Sequence, residues 1–237
     1  MLVLAFDTST RLGSVGCLSA PEDGRERYAE LTAPADPGHA ETLVPRLESI
    51  LAAGGFGFDQ VDLVAFGRGP GTFTGLRIGA STAKGLSRGL GIPLVGVSSL
   101  EALAVSSGRE GLVATLTDAR RGEVYAALWR VMRRGGRAVA EPLVEERVLE
   151  PGAARSMLEA AAGGKPLLLV GDALRRYGEQ LGDCGTPSEP PTVAPRAICV
   201  ADLGAARFAE RGGDDPAAVE PVYLRAPDAR LPARRLR

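Results

Sequence analysis

The chain has 237 residues, 45% hydrophobic and 24% charged, the composition of an ordinary globular protein. A formal net charge of −1 excludes a whole-molecule attraction to nucleic acid or to an anionic membrane. No apolar run approaches the roughly 18–20 residues of a membrane span, and Cys17, Cys184 and Cys199 are too scattered for a disulfide framework or a zinc site.

Leu2 to Phe6 reads as a continuous apolar strand, cut at Asp7-Thr8-Ser9-Thr10 and too short for a signal peptide, so a cytoplasmic protein is expected. Gly13 to Ser19 and Arg25 to Leu31 read as further strands, the first connection short enough for a hairpin. After a loop at Pro34, Pro37 and Gly38, a helix from His39 to Leu51 places Leu43, Leu47, Ile50 and Leu51 on one face. Pro45 either falls in its first turn or kinks it. Val61 to Phe66 is a strand, followed by the glycine-rich segment Gly67–Gly79 and a helix from Leu76 to Leu90. Ile92 to Val97 is a strand, and Ser98-Ser99-Leu100-Glu101 caps a new helix.

The same succession then repeats: strands at Leu112–Thr117, Glu123–Val131 and Leu143–Leu149, a helix from Pro151 to Ala162, and a strand at Leu167–Val170. A proline-rich link from Pro187 to Pro195 leads to a helix from Arg196 to Arg211. The repetition predicts an α/β fold of two related domains, each a mixed sheet with flanking helices, facing each other across a cleft. The expected units are residues 1–98 and 99–237, with the last helix a candidate to pack back on the first. The bland reading of the arginine-rich end (Arg225, Arg230, Arg234, Arg235, Arg237) is a frayed tail.

A strand feeding a glycine loop that opens a helix is a setting for anion binding. The loop is nevertheless no Walker sequence, because Lys84 lies mid-helix and no Gly-Lys-Ser/Thr follows the glycines. Gly69, Gly71 and Gly75 are spaced one residue too long for a dinucleotide fingerprint, and Pro70 removes an N–H from the cradle. Pro70-Gly71 instead fits a type II turn with positive φ at Gly71. Gly75, Gly79, Ala83 and Ser87 recur at intervals of four and form a stripe of small side chains that admits another backbone. It packs either on its own sheet or on a partner. Because Ile78, Leu86 and Leu90, with Ala80 or Ala83, already supply a core face, the partner is favoured.

Asp7, with Thr8 and Ser9, could hold a metal–phosphate in a kinase-like cleft, or could simply bond its own turn. Such a cleft needs a second hairpin, at Asp118 to Gly122, where Ala119, Arg120 and Arg121 would crowd a phosphate that glycines would admit. Gly171-Asp172-Ala173 is a thin remnant of an adenosine-binding glycine pair. His39 is the only histidine, so neither a His-pair zinc site nor an H-E-x-x-H helix can form, and a capping or helix-contact role is expected. Trp129, Tyr125 and Leu128 read as strand core rather than a base-stacking platform.

Several segments, LAFDTST (Leu4–Thr10), HAETLVP (His39–Pro45), GRGPGTFTGLRIGASTAKGL (Gly67–Leu86), IPLVGVSSLEALA (Ile92–Ala104), DARRGEVYAA (Asp118–Ala127) and EPVYLR (Glu220–Arg225), resemble the TsaB (YeaZ) family of the actin-like (RNase H-like), Gcp-like superfamily. They run in order from end to end; Arg130 to Ala218 resembles the family only in its order of elements. The resemblance implies two actin-like domains with five-stranded sheets. It also implies a non-catalytic subunit supporting TsaD in threonylcarbamoyl transfer to the adenosine next to the tRNA anticodon, with TsaE as a further component. ATP and a metal are then expected in the partner subunits, none in this chain, and tRNA is met through the complex. The paired histidines that hold the metal of TsaD have no counterpart here. The pairing surface implied is the two helices of the first domain, with His39, Leu43, Leu47, Gly75, Gly79, Ala83 and Ser87 as interface residues, and a homodimer when TsaD is absent. Asp7, Thr8, Ser9, Gly69, Gly71 and Asp118 remain as a vestigial anion or nucleotide site. The alternatives are a small-molecule kinase or ATPase of the same fold, disfavoured by the second hairpin, and a peptidase, disfavoured by the lack of a catalytic constellation.

Overall fold

Two five-stranded mixed sheets are built on one plan. The structure, a computed structural model, describes residues 1–20, 26–34 and 39–225; the side chains of residues 39 and 40, and the arginine tail beyond 225, lie outside the described residues. In the first half, β1 (Leu2–Asp7), β2 (Leu12–Ser19) and β3 (Arg27–Pro34) form an antiparallel meander. Helix α1 (His39–Gly54) and a single 3-10 turn at Phe58–Gln60 lead to β4 (Leu63–Gly67), parallel to β1. Helix α2 (Phe73–Leu90) then returns the chain to β5 (Leu94–Val97), parallel to β4. β1 and β4 are buried along their whole length, which is why they read as unbroken apolar runs rather than alternations.

After α3 (Ser99–Ser106) the second half repeats the plan. A meander of β6 (Gly111–Arg120), β7 (Glu123–Arg134) and β8 (Arg137–Leu149) is followed by α4 (Pro151–Ala162) and β9 (Leu167–Val170). Then come α5 (Ala173–Leu181), β10 (Thr186–Pro187) and α6 (Ala197–Arg211). The sheet orders β3-β2-β1-β4-β5 and β10-β9-β6-β7-β8 are the same order of equivalent strands, read from opposite ends.

Helix α5 and strand β10 were not expected from the sequence. α5 is short and interrupted by Gly178, and it buries only Ala173, Tyr177 and Leu181; β10 spans two residues. α1 begins at His39, so Pro45 lies inside it rather than in its first turn. The N–H that Pro45 lacks would have met Glu41, and both residues are exposed, where water can serve the orphaned carbonyl.

The helices that close the two halves are exchanged. α3 lies on β6, β7 and β8 of the second sheet, α6 lies across β1, β2 and β4 of the first, and the two helices touch. One apolar cluster therefore draws Val3 and Leu63 from the first sheet, Val113 and Trp129 from the second, and Leu103 and Val200 from the helices between them. Trp129 is buried there, with Nε1 donating to Thr115 Oγ1 at 3.1 Å, as a core residue. α6 approaches so closely that a Cβ on Gly204 would stand 2.5 Å from Ala65 Cβ. Two further clusters lie on the outer faces, one under α1 and α2 (Leu4, Phe6, Leu47, Phe66) and one under α4 and α5 (Leu116, Leu128, Leu158, Tyr177).

Candidate functional site

Asp7 ends β1, and its carboxylate is fully engaged by its own chain. Oδ1 accepts from the Ser9 N–H at 2.8 Å and from Ser9 Oγ at 2.5 Å, while Oδ2 accepts from Ser99 Oγ at 2.6 Å. Asp7, Thr8 and Ser9 are 1–2% exposed. Burial pushes the Asp7 carboxyl above its ordinary range, and the Ser9 and Ser99 hydrogen bonds pull against that.

The glycine segment is packed against this same turn. A Cβ on Gly67 would overlap the Asp7 carboxylate, one on Gly71 would overlap Ser9, and one on Gly75 would overlap the Thr8 carbonyl. On Gly79 it would stand 2.5 Å from Thr8 Oγ1. Polar bonds fasten the two stretches: Thr8 Oγ1 donates to the Gly75 carbonyl at 2.7 Å and the Thr72 N–H to the Ser9 carbonyl at 2.8 Å. The Gly69 N–H, which a phosphate cradle would turn outward, donates to Ser99 Oγ at 3.1 Å. Left-handed φ falls on Gly69 (104°), not Gly71, so the expected type II turn is not formed. Asp7, Thr8, Ser9, Gly69 and Gly71, expected as a vestigial anion site, thus meet one another in an internal joint, because the glycines let the loop sit directly on the β1 turn.

The second hairpin is closed in a similar way. Asp118 Oδ1 accepts from the Arg120 N–H at 2.8 Å and Tyr177 Oη at 3.3 Å, and Oδ2 pairs with Arg176 at 3.2 Å. Arg120 folds back to 3.5 Å from Asp118, so the arginine crowding anticipated at this turn is partly internal pairing. Arg120 and Arg121 both hold left-handed φ, 65° and 55°, a region non-glycine residues rarely occupy. The Gly171 N–H donates to the Thr192 carbonyl at 2.8 Å, and a Cβ on Gly171 would overlap the Leu116 backbone, so this glycine serves close packing on β6. Between the domains a cavity of about 420 Å³ is lined by Arg68, Ser98, Glu101, Glu146 and Arg207. There Glu101 pairs with Arg207 and Ser98 Oγ donates to Glu146. Among the described residues no group of three or more His, Cys, Asp or Glu could hold a metal ion, and no helix is long and apolar enough to cross a membrane.

The two first-domain helices present faces other than those anticipated. Leu43 (3% exposed) and Leu47 (0%) are core residues beneath α1, and Gly75, Gly79, Ala83 and Ser87 are all buried under α2. Ile78, Leu86 and Leu90, expected to form the core face, are only half-buried. The stripe of small residues at 75, 79, 83 and 87 is therefore the inward face, corrected from docking surface to sheet packing because Thr8 and Phe6 fill the space beside it. The side chain of His39 lies outside the described residues.

The outer face of α2 carries a second stripe at the same spacing: Ser81, Gly85 and Gly89 are exposed, and among the described residues nothing beyond the helix's own nearby backbone comes within 4 Å of a Cβ built on either glycine. Phe73 stands at its start, 49% exposed, under the Arg77 guanidinium at 3.9 Å and beside the Tyr223 ring at 5.6 Å. α1 exposes Glu41, Val44, Pro45 and Glu48. This stripe is as legible in the sequence as that at 75, 79, 83 and 87; only the Tyr223 contact, 150 residues away, leaves no local signal.

Two sheets of one plan, with closing helices exchanged across a shared core, define a two-domain actin-like protein. A family model described as TsaD, tRNA N6-adenosine threonylcarbamoyltransferase, matches residues 33–166. Among the relatives, the tRNA threonylcarbamoyladenosine biosynthesis protein TsaB of Haemophilus influenzae is 32% identical, covering 95% of this chain and 94% of its own. The TsaB protein of Bacillus subtilis is 31% identical, covering 97% and 96%. The solved structure of YeaZ from Pseudomonas aeruginosa is 30% identical and superposes with a TM-score of 0.76 over 94% of this chain and 99% of its own. The chain belongs to the TsaB family.

Proposed function

We propose that the chain is a non-catalytic subunit that docks against TsaD and supports threonylcarbamoyl transfer to the adenosine next to the tRNA anticodon. The relatives' names place them in threonylcarbamoyladenosine biosynthesis, and the matching family model is that of the transferase. One contrast carries the subunit reading. Asp7, the group a kinase or ATPase of this fold would turn to a metal–phosphate, is 1% exposed with both oxygens engaged. Meanwhile the outer face of α2 keeps two helical glycines that nothing among the described residues packs against, although each costs roughly 0.5–1 kcal/mol of helix stability relative to Ala.

In this reading α1 and α2 form the partner surface through their outer faces, and the protein works in the cytoplasm. It carries no cofactor of its own; ATP and metal belong to TsaD and TsaE, and tRNA is met through the complex. Without TsaD the same surface pairs two copies. α1 exposes Glu41 and Glu48 and α2 exposes Arg77 and Arg88, so a two-fold pairing sets α1 of one copy against α2 of the other with complementary charge.

Co-purification with TsaD tests the reading. Gly85→Leu is expected to abolish the complex while the free chain stays folded; a variant that binds like wild type overturns the surface. The chain alone is expected to turn over ATP negligibly, and sustained hydrolysis lost in Asp7→Asn would overturn the non-catalytic assignment.

A further inference from the structure

After α6 the chain runs from the first domain to the second, through a turn at residues 216–218. The Asp214 N–H donates to the Leu94 carbonyl at 2.8 Å, fixing the run to the edge strand of the first sheet. Val219 is buried in the core under α1 and α2. The Val222 N–H donates to the Arg68 carbonyl at 2.7 Å, and its carbonyl lies over Gly69, where a Cβ would stand 3.0 Å away. Tyr223 then turns outward onto Phe73, while Leu224 turns inward onto the core shared by the two sheets. Arg225 reaches the second domain, where Nη1 donates to the Ala119 carbonyl at 3.1 Å and the guanidinium pairs with Glu123.

Residues 223–225 thus join the exposed aromatic corner of α2 to the β6–β7 hairpin. That hairpin holds Arg120 and Arg121 in left-handed φ, a conformation that persists only where the surroundings over-determine it. The Arg225 bond to Ala119 is one of those surroundings. At the other end, Tyr223 is 41% exposed and Phe73 49% exposed, so a protein seated on α2 would cover both rings and hold the run in place.

We propose that residues 219–225 are a strap that couples occupancy of the α2 face to the β6–β7 hairpin of the second domain, with Tyr223 as its contact to the docked subunit and Arg225 as its anchor. This rests on the docking reading above. A subunit on the first domain then rigidifies a turn on the second without touching it, because the strap is held by Val222 and Tyr223 on one side and by Arg225 on the other.

Hydrogen exchange of the full chain, free and bound to TsaD, tests it. In the free chain Arg225→Ala is expected to speed exchange of amides 118–124 by about tenfold or more, the effect of losing a charge-assisted hydrogen bond, while β1 amides keep their protection. TsaD binding is expected to slow exchange in the same hairpin of the wild type, and Tyr223→Ala to bind yet lose that slowing. Equal hairpin exchange in Arg225→Ala and wild type, or equal slowing in the Tyr223→Ala and wild-type complexes, overturns the strap. A wild-type complex without any hairpin response overturns the coupling alone, whereas no complex at all overturns the docking reading and the coupling with it.

Discussion

Ser99 Oγ donates to Asp7 Oδ2 at 2.6 Å, joining the first residue of α3 to the last residue of β1 across 92 positions of sequence. The same hydroxyl oxygen accepts the Gly69 N–H, so one serine ties together the β1 turn, the glycine loop and the helix that crosses to the second domain. The joint explains why a segment that looks like a phosphate cradle is closed.

Asp7→Ala would strip the acceptor from the Ser9 N–H, Ser9 Oγ and Ser99 Oγ in a buried site. A loss of about 3 kcal/mol of unfolding free energy is expected, read from urea denaturation. A loss below about 0.5 kcal/mol would mean that water reaches the joint and satisfies these donors.

Gly79 lies on the buried face of α2 and Gly85 on an exposed one, and they should respond oppositely to Leu. At Gly79 the new side chain meets Thr8, and destabilisation of about 3 kcal/mol or failure to fold is expected. At Gly85 it meets open space, and a gain of up to about 1 kcal/mol from helix propensity is expected. Thermal melts of the two variants check this; similar melting temperatures would contradict the orientation of α2.

Gly204→Ala should lower stability although Ala favours a helix. The added methyl would stand 2.5 Å from Ala65 Cβ and push α6 off the first sheet, costing about 1–3 kcal/mol. A stabilised variant in a denaturant titration would show that α6 has slack there.

Glu146 gives the interdomain cavity a pH dependence. Burial pushes its carboxyl up from the ordinary 4.5, the Ser98 hydrogen bond opposes this, and the neighbouring Glu101 charge adds to it. A raised folded pKa means that the folded state holds the proton more tightly. Its contribution is therefore fully present below 4.5 and is lost as pH rises through the folded value. Glu146→Gln should lack that loss, so its stability relative to wild type should improve as pH rises above 4.5 and level off once the folded value is passed. Parallel pH profiles for the two proteins would count against the effect.

Much of the architecture was legible along the chain. Unbroken apolar runs such as Leu2–Phe6 and Leu167–Val170 mark strands buried on both faces, and the succession of elements discloses the repeat. α5 escaped because it is short and interrupted by a glycine, and β10 because two residues carry no period. The candidate site was legible as a set of residues but not as a geometry: Asp7, Ser9, Gly69 and Gly71 do meet, yet they meet each other rather than a ligand.

By itself the sequence determined the two-domain α/β plan, the family, and the presence of small residues at intervals of four along α2. Which stripe of α2 faces inward was decided only in three dimensions. Period four states that residues share a face, but a glycine has no side chain and so carries no hydrophobic mark of which face is buried. Thr8 and Phe6 pack beside Gly75 and Gly79, and nothing among the described residues packs beside Gly85 and Gly89. The closing of the glycine loop on the β1 turn was decided in the same way, because the partners of Asp7 and Gly69 arrive from Ser99 and Val222, far along the chain and near only after folding.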